Sequence, residues 1–475
     1  METLQRLHNR GSISTGYDID NSCKFESGLT EFFNKSYSSS GNRKTWTYST
    51  WIKITETGVD NYFLDAYNNS NTWFILGIAS TGKVVFYDII AGTDYGKQTN
   101  RLLRDTNAWY HIVFVSDTTN STAADRYRLY INGVRETSFA TDYGNPPQNY
   151  DGNVNNAIMH SVGKRTDGPS YLDGYLAETI LVDGQALDPT DFGKVDSASG
   201  IWKPIEITDT SFTWGTNGFW LEYENAASMG ANSAGTGGFS VQNINQTDQA
   251  TDTPTNNFAT FNQLHPKASG TNIANGNAQF YVSSNWQTAV SSIAVSKGKW
   301  YAEFSCDSAT SIVGFVDVDD QYIPQNHTGY YLGYAGSNQN RSVGMQGSNG
   351  VIMNDNNSAT GATYAANNIV SLALDMDNRK AYWAVNGTYV NSGNPANGTN
   401  GVTWATSSSL GDDWTDVITM AVTGYSNTTW KCNFGGFTLI SISSGNSDAN
   451  GYGNFEYAVP GGFYALCTKN LEEFG

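Results

Sequence analysis

Carboxylate side chains are the residues of this chain with the clearest potential for chemistry. A glycoside hydrolase needs two carboxyl groups roughly 5–10 Å apart at one glycosidic bond. The nearest candidate pair is Glu222 and Glu224, which lie two residues apart on a predicted strand and so share one of its faces. Such a pair is more typical of a solvated strand face than of an active site. The sequence therefore predicts a protein that is not an enzyme.

Histidine and cysteine spacing leads to the same conclusion. The five histidines do not show a spacing such as H-x-x-x-H, and the chain has no G-x-S-x-G, phosphate-loop or dinucleotide motif. His111 follows Trp109 in a predicted strand, where we expect it to pack or to hydrogen-bond. The four cysteines are dispersed singly, which predicts buried free thiols rather than a zinc site or disulfides.

Clusters of aspartate and asparagine could hold calcium, which prefers oxygen ligands. The candidate segments are 317–320, 354–357 and 375–378. None of them has the spacing of an EF-hand loop, and Asp and Asn are ordinary turn residues. We therefore predict no metal and no cofactor, with calcium as the open alternative.

Sugar recognition is the remaining chemistry that the residue types favour. It uses flat aromatic faces beside Asn, Asp and Gln side chains, and the predicted loops contain several tyrosines in such surroundings. The alternative for each loop is a polar turn with a partly buried tyrosine. The candidate ligand-binding residues are Tyr143, Tyr150, Tyr171, Tyr322, Tyr330, Tyr331, Trp414, Tyr425 and Asn427.

Composition excludes two classes of partner. The net charge of −18, from 26 basic and 44 acidic residues, argues against nucleic acid, because the chain has little to neutralise phosphates. No apolar run reaches the length of a membrane-spanning helix, and the N-terminus lacks the apolar segment of a secretory signal. We therefore expect no membrane insertion, and assembly in the cytoplasm.

Short strands are the elements predicted to position these residues. Aromatic residues make up 13% of the chain and glycines number 49, which suits strands with large inward side chains joined by many turns. Between 369 and 390, three alternating segments are joined by a polar run and by Asn386-Gly387. That dipeptide accepts the positive φ angles of a type I′ turn, so the segment is predicted to be a three-stranded meander.

Several strings of residues occur in a recognisable order. In the first half they are WTYSTWIKI, NAWYHIVFVSD and GYLAETILVDGQALDPTDFG, which together resemble the laminin G-like, or concanavalin A-like, jelly roll. In the second half GKWYAEF, VGFVD, the 369–390 meander and WKCNFGG resemble a SPRY domain, a family that binds partners through loops at one edge of its sandwich. The two resemblances imply an all-β chain with two antiparallel β-sandwiches in series.

The resemblances divide the chain into four predicted segments. An extended N-terminal docking arm covers 1–20, and a frayed terminus is the alternative for it. The jelly roll covers 21–195, a β-rich connector covers 196–257, and the SPRY-like sandwich covers 258–475.

Two further strings resemble virion proteins of marine bacteriophages. They are RLHNRGSISTGYDIDNS near the N-terminus and TDTPTNNFATFN at the end of the connector. This resemblance implies a structural protein of the virion, and we predict a tail fibre or receptor-binding adhesin that contacts a host-surface glycan or protein. A capsid surface appendage is the alternative, and a glycan-active hydrolase is less favoured. The expected partners are other virion proteins and further copies of the chain, with a trimer as the usual state of tail fibres. Docking is assigned to Leu4, Leu7, Arg10 and Tyr17.

Overall fold

A computed structural model describes most of the chain, and its contacts divide the chain into two compact units. The first unit ends at Thr255 and the second runs from Asn256 to Gly475. Strand makes up 43% of the structure and helix 6%, which confirms the predicted all-β fold class. The described residues are 17–197, 199–235, 237–265, 270–320, 330–333, 341–354, 357–404 and 414–475.

The first unit is built from short strands joined by turns. In chain order they are β1 (Ser22–Phe25), β2 (Phe32–Ser36), β3 (Thr45–Ile54), β4 (Asn61–Asn69), β5 (Thr72–Ile78), β6 (Lys83–Ile90), β7 (Thr93–Asp94), β8 (Lys97–Leu102), β9 (Tyr110–Asp117), β10 (Tyr127–Ile131), β11 (Val134–Arg135), β12 (Phe139–Asp142), β13 (Met159–Val162), β14 (Gly174–Asp183), β15 (Gly193–Val195), β16 (Trp202–Pro204), β17 (Phe219–Leu221), β18 (Ser240–Gln242) and β19 (Gln249–Ala250).

These strands form two antiparallel sheets. Sheet A has the order β11-β10-β9-β3-β14-β1-β19, with β17 also paired to β14. Sheet B has the order β12-β8-β6-β5-β4-β13-β2-β18, with β7 paired to β6, while β15 and β16 form a separate pair. The strands β16 to β19 come from the segment that the sequence predicts to be a connector. That segment therefore extends both sheets of the first unit.

The two sheets pack face to face through large aromatic residues. Phe114 of sheet A lies 5.6 Å from Phe74 and 4.8 Å from Phe86 of sheet B, measured between ring centroids. All three side chains are buried, as expected for the inner faces of a sandwich.

The outer face of sheet A is also covered. Val113 and Val115 alternate with the inward Ile112 and Phe114 along β9, and they belong to a second buried cluster. Phe192, near the end of the jelly roll, covers this face together with residues of the following segment, which include Ile207, Trp214 and Trp220. Sheet A is thus buried on both faces.

Two buried lysines of sheet A form ion pairs with residues 248–252 of the first unit. Lys24 Nζ lies 2.8 Å from Asp248 and 2.9 Å from Glu31, and Lys53 Nζ lies 2.7 Å from Asp252. Because charges inside a protein need partners, these pairs fix the path of residues 248–252 along the sheet.

The second unit repeats this construction. In chain order its strands and helix are β20 (Thr271–Ala274), β21 (Gln279–Val282), β22 (Trp286–Val290), β23 (Lys299–Cys306), β24 (Ser311–Asp317), β25 (Ser342–Gln346), β26 (Val351–Asn354), β27 (Asn357–Thr360), β28 (Ile369–Asp375), β29 (Lys380–Val385), β30 (Thr388–Tyr389), β31 (Val402–Thr403), β32 (Ile418–Tyr425), β33 (Thr428–Asn433), β34 (Tyr464–Ala465) and α1 (Thr468–Phe474).

Its strands also form two sheets. Sheet C has the order β20-β21-β33-β23-β28-β29-β30, with β31 paired to β29 and β34 to β23; sheet D has the order β22-β32-β24-β25-β26-β27. The predicted meander is confirmed as β28, β29 and β30, and Asn386 and Gly387 take φ angles of 47° and 78° at its turn. Trp383 of sheet C stacks on Phe315 of sheet D, so the two sheets share a core.

The C-terminal segment covers the outer face of sheet C. Tyr301 and Tyr382 on that face pack in one cluster with Phe258, Phe455 and Phe463. The buried carboxylate of Glu303 accepts hydrogen bonds from the backbone N–H groups of Glu456 and Tyr457, at 3.0 and 2.8 Å. One sheet of each unit is therefore covered on its outer face by chain that follows the sandwich.

Other predictions concern cysteines and membrane helices. All four cysteines are buried and free, as predicted. Within the described ranges, no helix is long and apolar enough to cross a membrane.

Candidate ligand-binding surface

Three aromatic residues of the second unit converge on the outer face of sheet D. Tyr425 lies directly opposite Trp286 in the register of β32 and β22, and their ring centroids are 4.9 Å apart. Tyr331 packs against the same indole, also at 4.9 Å. Trp286 and Tyr331 are half-buried, while Tyr425 is 40% exposed. We call Trp286, Tyr331 and Tyr425 the Trp286 cluster.

A polar group borders the Trp286 cluster at the β32–β33 turn. Ser426 and Asn427 form this turn with φ angles of 33° and 56°, a conformation that Asn tolerates better than most residues. The hydroxyl of Tyr281 donates a hydrogen bond to Oδ1 of Asn427, at 3.2 Å. The turn thus places an exposed amide beside the ring of Tyr425.

Hydroxyl groups under the Trp286 cluster hold its backbone in place. Thr288 and Thr423 face each other on β22 and β32, and their hydroxyl oxygens are 2.7 Å apart. The hydroxyl oxygen of Thr423 also accepts the backbone N–H of Leu332, at 3.3 Å. This bond fixes the backbone next to Tyr331 on the sheet. Tyr330, which precedes it, is half-buried.

The predicted residues of the first unit lie at separate places. Tyr143 is 54% exposed, and its ring lies 6.0 Å from that of Tyr87. Tyr150 packs edge-on against Tyr95 at 5.1 Å. Tyr171 lies 5.9 Å from Phe32. The structure does not bring these three tyrosines together in one site.

Trp414 requires a correction. The sequence predicts it to be a ligand-binding residue, but it is only 6% exposed. Its ring packs against Phe315 and Trp404, with both centroid distances at 6.4 Å. A ring enclosed in this way has no face to offer to a ligand, so Trp414 belongs to the core. Tyr322, Leu4, Leu7 and Arg10 lie outside the described residues.

Tyr17, which is predicted to dock the virion, lies against the outer face of sheet A. It packs with Ile19, Trp51 and Ala177, and its hydroxyl donates to Oε1 of Glu178 at 3.1 Å. Burial and the neighbouring carboxylate raise the pKa of the Tyr17 hydroxyl. Its role in docking stays a prediction.

His111 is a structural residue, as predicted. Its Nδ1 accepts the indole N–H of Trp202 at 3.0 Å, which leaves Nε2 as the protonated nitrogen that donates to Ser49 Oγ at 2.8 Å. Burial lowers the pKa of the imidazole to about 3. A base for a serine nucleophile must accept the hydroxyl proton through Nε2, and this hydrogen-bond arrangement is the reverse.

Among the acidic residues, Glu178 has the environment most similar to that of a catalytic acid. It lies at a bulge in β14 and has a φ angle of 47°. Burial raises its pKa to about 8. Its two oxygens accept hydrogen bonds from the Tyr17 hydroxyl and from the indole N–H of Trp220, the latter at 2.6 Å. Glu222 accepts the hydroxyl of Ser233. These hydrogen bonds connect the two acids to Tyr17, Trp220 and Ser233 of the same unit rather than to an open cleft.

Three of the aspartates considered for calcium accept hydrogen bonds from the chain. Asp317 accepts both the backbone N–H and the hydroxyl of Thr415, each at 2.7 Å. Asp375 accepts the backbone N–H of Asn378 at 3.0 Å, and Asp320 accepts that of Arg341 at 2.8 Å. Residues 355 and 356 of the second candidate segment lie outside the described residues. Searching the described part of the chain finds no group of three or more His, Cys, Asp or Glu arranged for a metal.

Comparison with known proteins identifies part of the first unit. Residues 34–191 match the Laminin_G_3 family, described as the concanavalin A-like lectin/glucanases superfamily. The first unit therefore contains a laminin G-like domain with a concanavalin A-like sandwich, as the sequence predicts. No curated protein matches the sequence of this chain.

Three solved structures to which the chain is similar all have low TM-scores. The SPRY domain of human HERC1 is 13% identical with a TM-score of 0.25, over 34% of this chain and 91% of that domain. A putative carbohydrate binding protein from Bacteroides ovatus is 15% identical with a TM-score of 0.31, over 48% of this chain and 61% of that protein. Domains LG4-5 of the mouse laminin alpha1 chain are 11% identical with a TM-score of 0.30, over 94% of this chain and 97% of theirs.

Proposed function

We propose that this chain is a non-enzymatic adhesin of a bacteriophage virion that binds a glycan on the host surface. The observation that carries the binding role is the convergence of Tyr331 with Tyr425 and Asn427, from two separate segments, around Trp286. A laminin G-like domain in the first unit also favours a binding role.

The Trp286 cluster has the two features that a sugar requires. A pyranose ring has an apolar face of C–H groups, which packs against an exposed aromatic ring such as that of Tyr425. Its hydroxyls need hydrogen-bond partners at the edge of that ring, and the amide of Asn427 supplies both a donor and an acceptor there. The cluster is small, so one or two sugar residues would fill it.

The virion role is supported by the resemblance of the N-terminal and connector strings to phage proteins. In this proposal the arm of residues 1–20 docks the chain on the particle as a homotrimer, and the sandwiches face outward. A tail fibre position is favoured, and a capsid surface appendage is the alternative.

The binding role is tested by replacing the exposed ring of the Trp286 cluster. We expect Tyr425→Ala to weaken binding to immobilised oligosaccharides by about two- to tenfold, the range that ~0.5–1.5 kcal/mol of aromatic contact energy gives. Tyr425→Phe keeps the ring and should retain most of the affinity. Leu264→Ala, at a side chain that is 52% exposed in the same unit, is the matched control and should bind normally. Equal binding by the Tyr425→Ala protein would contradict the role of the cluster.

The virion role is tested separately, by antibody labelling of intact particles in the electron microscope. Label at the tail is the expected result. Label spread over the head would identify a capsid appendage, and unlabelled particles would overturn the virion proposal. Deletion of residues 1–16, which keeps Tyr17 and Ile19 on sheet A, should leave both sandwiches folded but abolish incorporation into particles.

A further inference from the structure

The outer face of sheet B carries a second set of aromatic residues, of which only Tyr143 is a candidate from the sequence. The register of β4, β5 and β6 places their outward side chains in rows, because directly paired residues of antiparallel strands lie side by side on one face. One row is Tyr67, Trp73 and Ile89, and the next contains Asp65, Ile75 and Tyr87. Tyr62 lies on the same face, packed with Ile75 and Val85.

Ring contacts connect these rows at Tyr87. Its ring lies 6.4 Å from that of Trp73, edge to face, and 6.0 Å from that of Tyr143 at the margin of the sheet. Gln98 donates a hydrogen bond to its hydroxyl at 2.5 Å. Tyr87 and Trp73 are half-buried and Tyr143 is exposed, so the rings form a partly open surface across three strands. We call Tyr62, Trp73, Tyr87, Tyr143 and Arg165 the Tyr87 face.

The one cation of the Tyr87 face already has a partner. Two nitrogens of the Arg165 guanidinium contact the two carboxylate oxygens of Asp167, at 2.5 and 2.9 Å. The guanidinium lies over the rings of Trp73 and Tyr62, with its central carbon 5.0 and 5.8 Å from their centroids. Arg165 therefore extends the flat surface and holds no free charge for an anion.

Two carboxylate oxygens on this face are buried and lack a hydrogen-bond partner within the described residues. They are Oδ1 of Asp65 and Oδ1 of Asp94. Asp65 is 1% exposed, and its other oxygen accepts the hydroxyl of Thr166 at 2.5 Å. Asp94 is paired with Ile89 across β7 and β6, beside the Trp73 row. Buried polar atoms normally have partners, so these two oxygens indicate donors that the described residues do not supply.

We propose that the Tyr87 face is a second binding site and that its ligand is a neutral glycan. The rings of Tyr87 and Tyr143 would pack against the apolar faces of successive sugar residues. Hydroxyl groups of the sugar would reach the buried oxygens of Asp94 and Asp65 through bound water, because neither oxygen is itself exposed. This inference goes beyond the proposed function, because it depends neither on the Trp286 cluster nor on a virion.

The charges of the Tyr87 face determine the ligand class. Carboxylates of Asp65, Asp94 and Asp167 surround it, and the guanidinium of Arg165 is their only cationic neighbour among the contacts just described. A uronate or sialate would place its own carboxylate among these groups with no free cation to meet it, and like charges at such distances repel. A neutral sugar has only hydroxyl groups, which can donate to the carboxylates. A protein strand or a second copy of this chain is the rival occupant, and the experiment distinguishes it.

The test is native affinity electrophoresis of the full chain with Tyr425→Ala, which lowers the contribution of the Trp286 cluster, so that the effect of the Tyr87 face is measured as the difference between this parent and its further variants. The gels contain a neutral glucan, a neutral galactan, a neutral mannan or polygalacturonate. We expect retardation by at least one neutral polysaccharide and none by polygalacturonate. Adding Tyr87→Ala or Asp94→Asn should weaken retardation about tenfold or more, since bonds to charged groups are among the stronger ones.

Control variants keep this test independent of folding. Tyr143→Ala changes an exposed side chain and should weaken retardation several-fold without changing the unfolding transition. Val195→Ala, at a side chain that is 60% exposed elsewhere in the same unit, should migrate like its parent. Retardation that survives Tyr87→Ala, or no retardation by any neutral polysaccharide, would overturn the inference. So would a sedimentation change from oligomer to monomer on Tyr143→Ala without retardation, which would make this face a contact between copies.

Discussion

The two outer faces of the first unit both carry buried acids among aromatic residues, but these acids differ in how their oxygens are paired. On sheet A, both oxygens of Glu178 accept hydrogen bonds, and both nitrogens of His111 are bonded. On sheet B, Asp65 and Asp94 each keep one buried oxygen without a partner in the described chain. Aromatic rings surround both sets of polar groups, and those over sheet A are covered by later chain while Tyr143 on sheet B is exposed.

This difference separates structural polar groups from those available to a ligand. A polar group that the fold itself satisfies contributes to stability, and its removal leaves its partner unpaired. A polar group that the fold leaves unsatisfied costs stability until another molecule provides the hydrogen bond. Substitutions on sheet A should therefore change folding, whereas those on the Tyr87 face should change binding.

The largest effect is expected on sheet A, from Asp252→Ala. This change removes the partner of Lys53, whose side chain is fully buried, and also the acceptor of the Trp109 indole. Leaving a buried charge uncompensated costs about 3–5 kcal/mol. Urea denaturation measures the change, with Asp125→Ala at the exposed Arg135 pair as the control, expected to cost about 1 kcal/mol or less. A loss below ~1 kcal/mol for Asp252→Ala would contradict the structural role of sheet A's outer face.

A smaller effect in free energy, and of a different kind, is expected on sheet B. Asp94→Asn keeps the size of the side chain but removes its charge, so affinity for a neutral oligosaccharide should fall by about 1.5 kcal/mol, the lower end for hydrogen bonds to charged groups. Isothermal titration measures the affinity. The unfolding midpoint of this variant should not decrease, since the charge makes no hydrogen bond to the rest of the described chain at Oδ1. A clear loss of stability with unchanged affinity would show that Asp94 acts in folding and not in binding.

The pH dependence of stability is a further test of the contrast between the two outer faces. Burial raises the pKa of the Asp65 carboxyl to about 7 and that of Asp94 to about 6. Around Asp65, Thr166 and Arg165 favour the charged form and Asp167 opposes it. Both pKa values are above their unfolded value of 3.8, so the stability that these groups contribute is fully present below pH ~4 and is lost as the pH rises through 6 and 7.

Glycan binding should show the opposite trend with pH. Sugar hydroxyls donate best to ionised carboxylates, so affinity should rise from pH 5 to pH 8 while the stability of the free protein falls. Titrations at several pH values measure this, and the Asp94→Asn protein should show a flatter profile. Affinity that is highest at pH 5 would show that the carboxylates do not accept from the ligand.

The smallest effect is expected at Tyr143. Its side chain is 54% exposed, so Tyr143→Ala should change the free energy of unfolding by no more than about 0.5 kcal/mol. Affinity for the neutral glycan should fall several-fold, because one of the stacking rings is lost. Thermal unfolding and titration of the same preparation check both values. A larger change in stability than in affinity would place Tyr143 with the structural residues.

The sequence predicts the features that depend on local pattern. The Asn386-Gly387 turn, the meander around it and the packing of His111 follow from residue types and their order in the chain. The laminin G-like domain follows from strings that keep their order over the jelly roll. These features need no knowledge of distant contacts.

Features that depend on distant contacts could not be predicted. Trp414 follows a polar stretch of sequence, and its burial against Phe315 and Trp404 is visible only in the folded sandwich. Trp286 is a single aromatic residue in a short strand, so its meeting with Tyr331 and Tyr425 gives no signal in the sequence. In β5, Trp73 to Ile78 is apolar at nearly every position, and alternation cannot tell which face is outward. The pairing of Lys53 with Asp252 joins residues far apart in sequence.

Hydroxyl-radical footprinting of the full chain with and without a neutral polysaccharide tests the central claim most directly. The method reports the exposure of individual aromatic side chains. We predict that oxidation of Tyr143 and Tyr87 decreases when the glycan is bound, while Trp109 and Trp202 on the covered face of sheet A keep their rates. Unchanged oxidation of Tyr143 and Tyr87 under conditions where the glycan is bound would show that this face of sheet B is not the binding site.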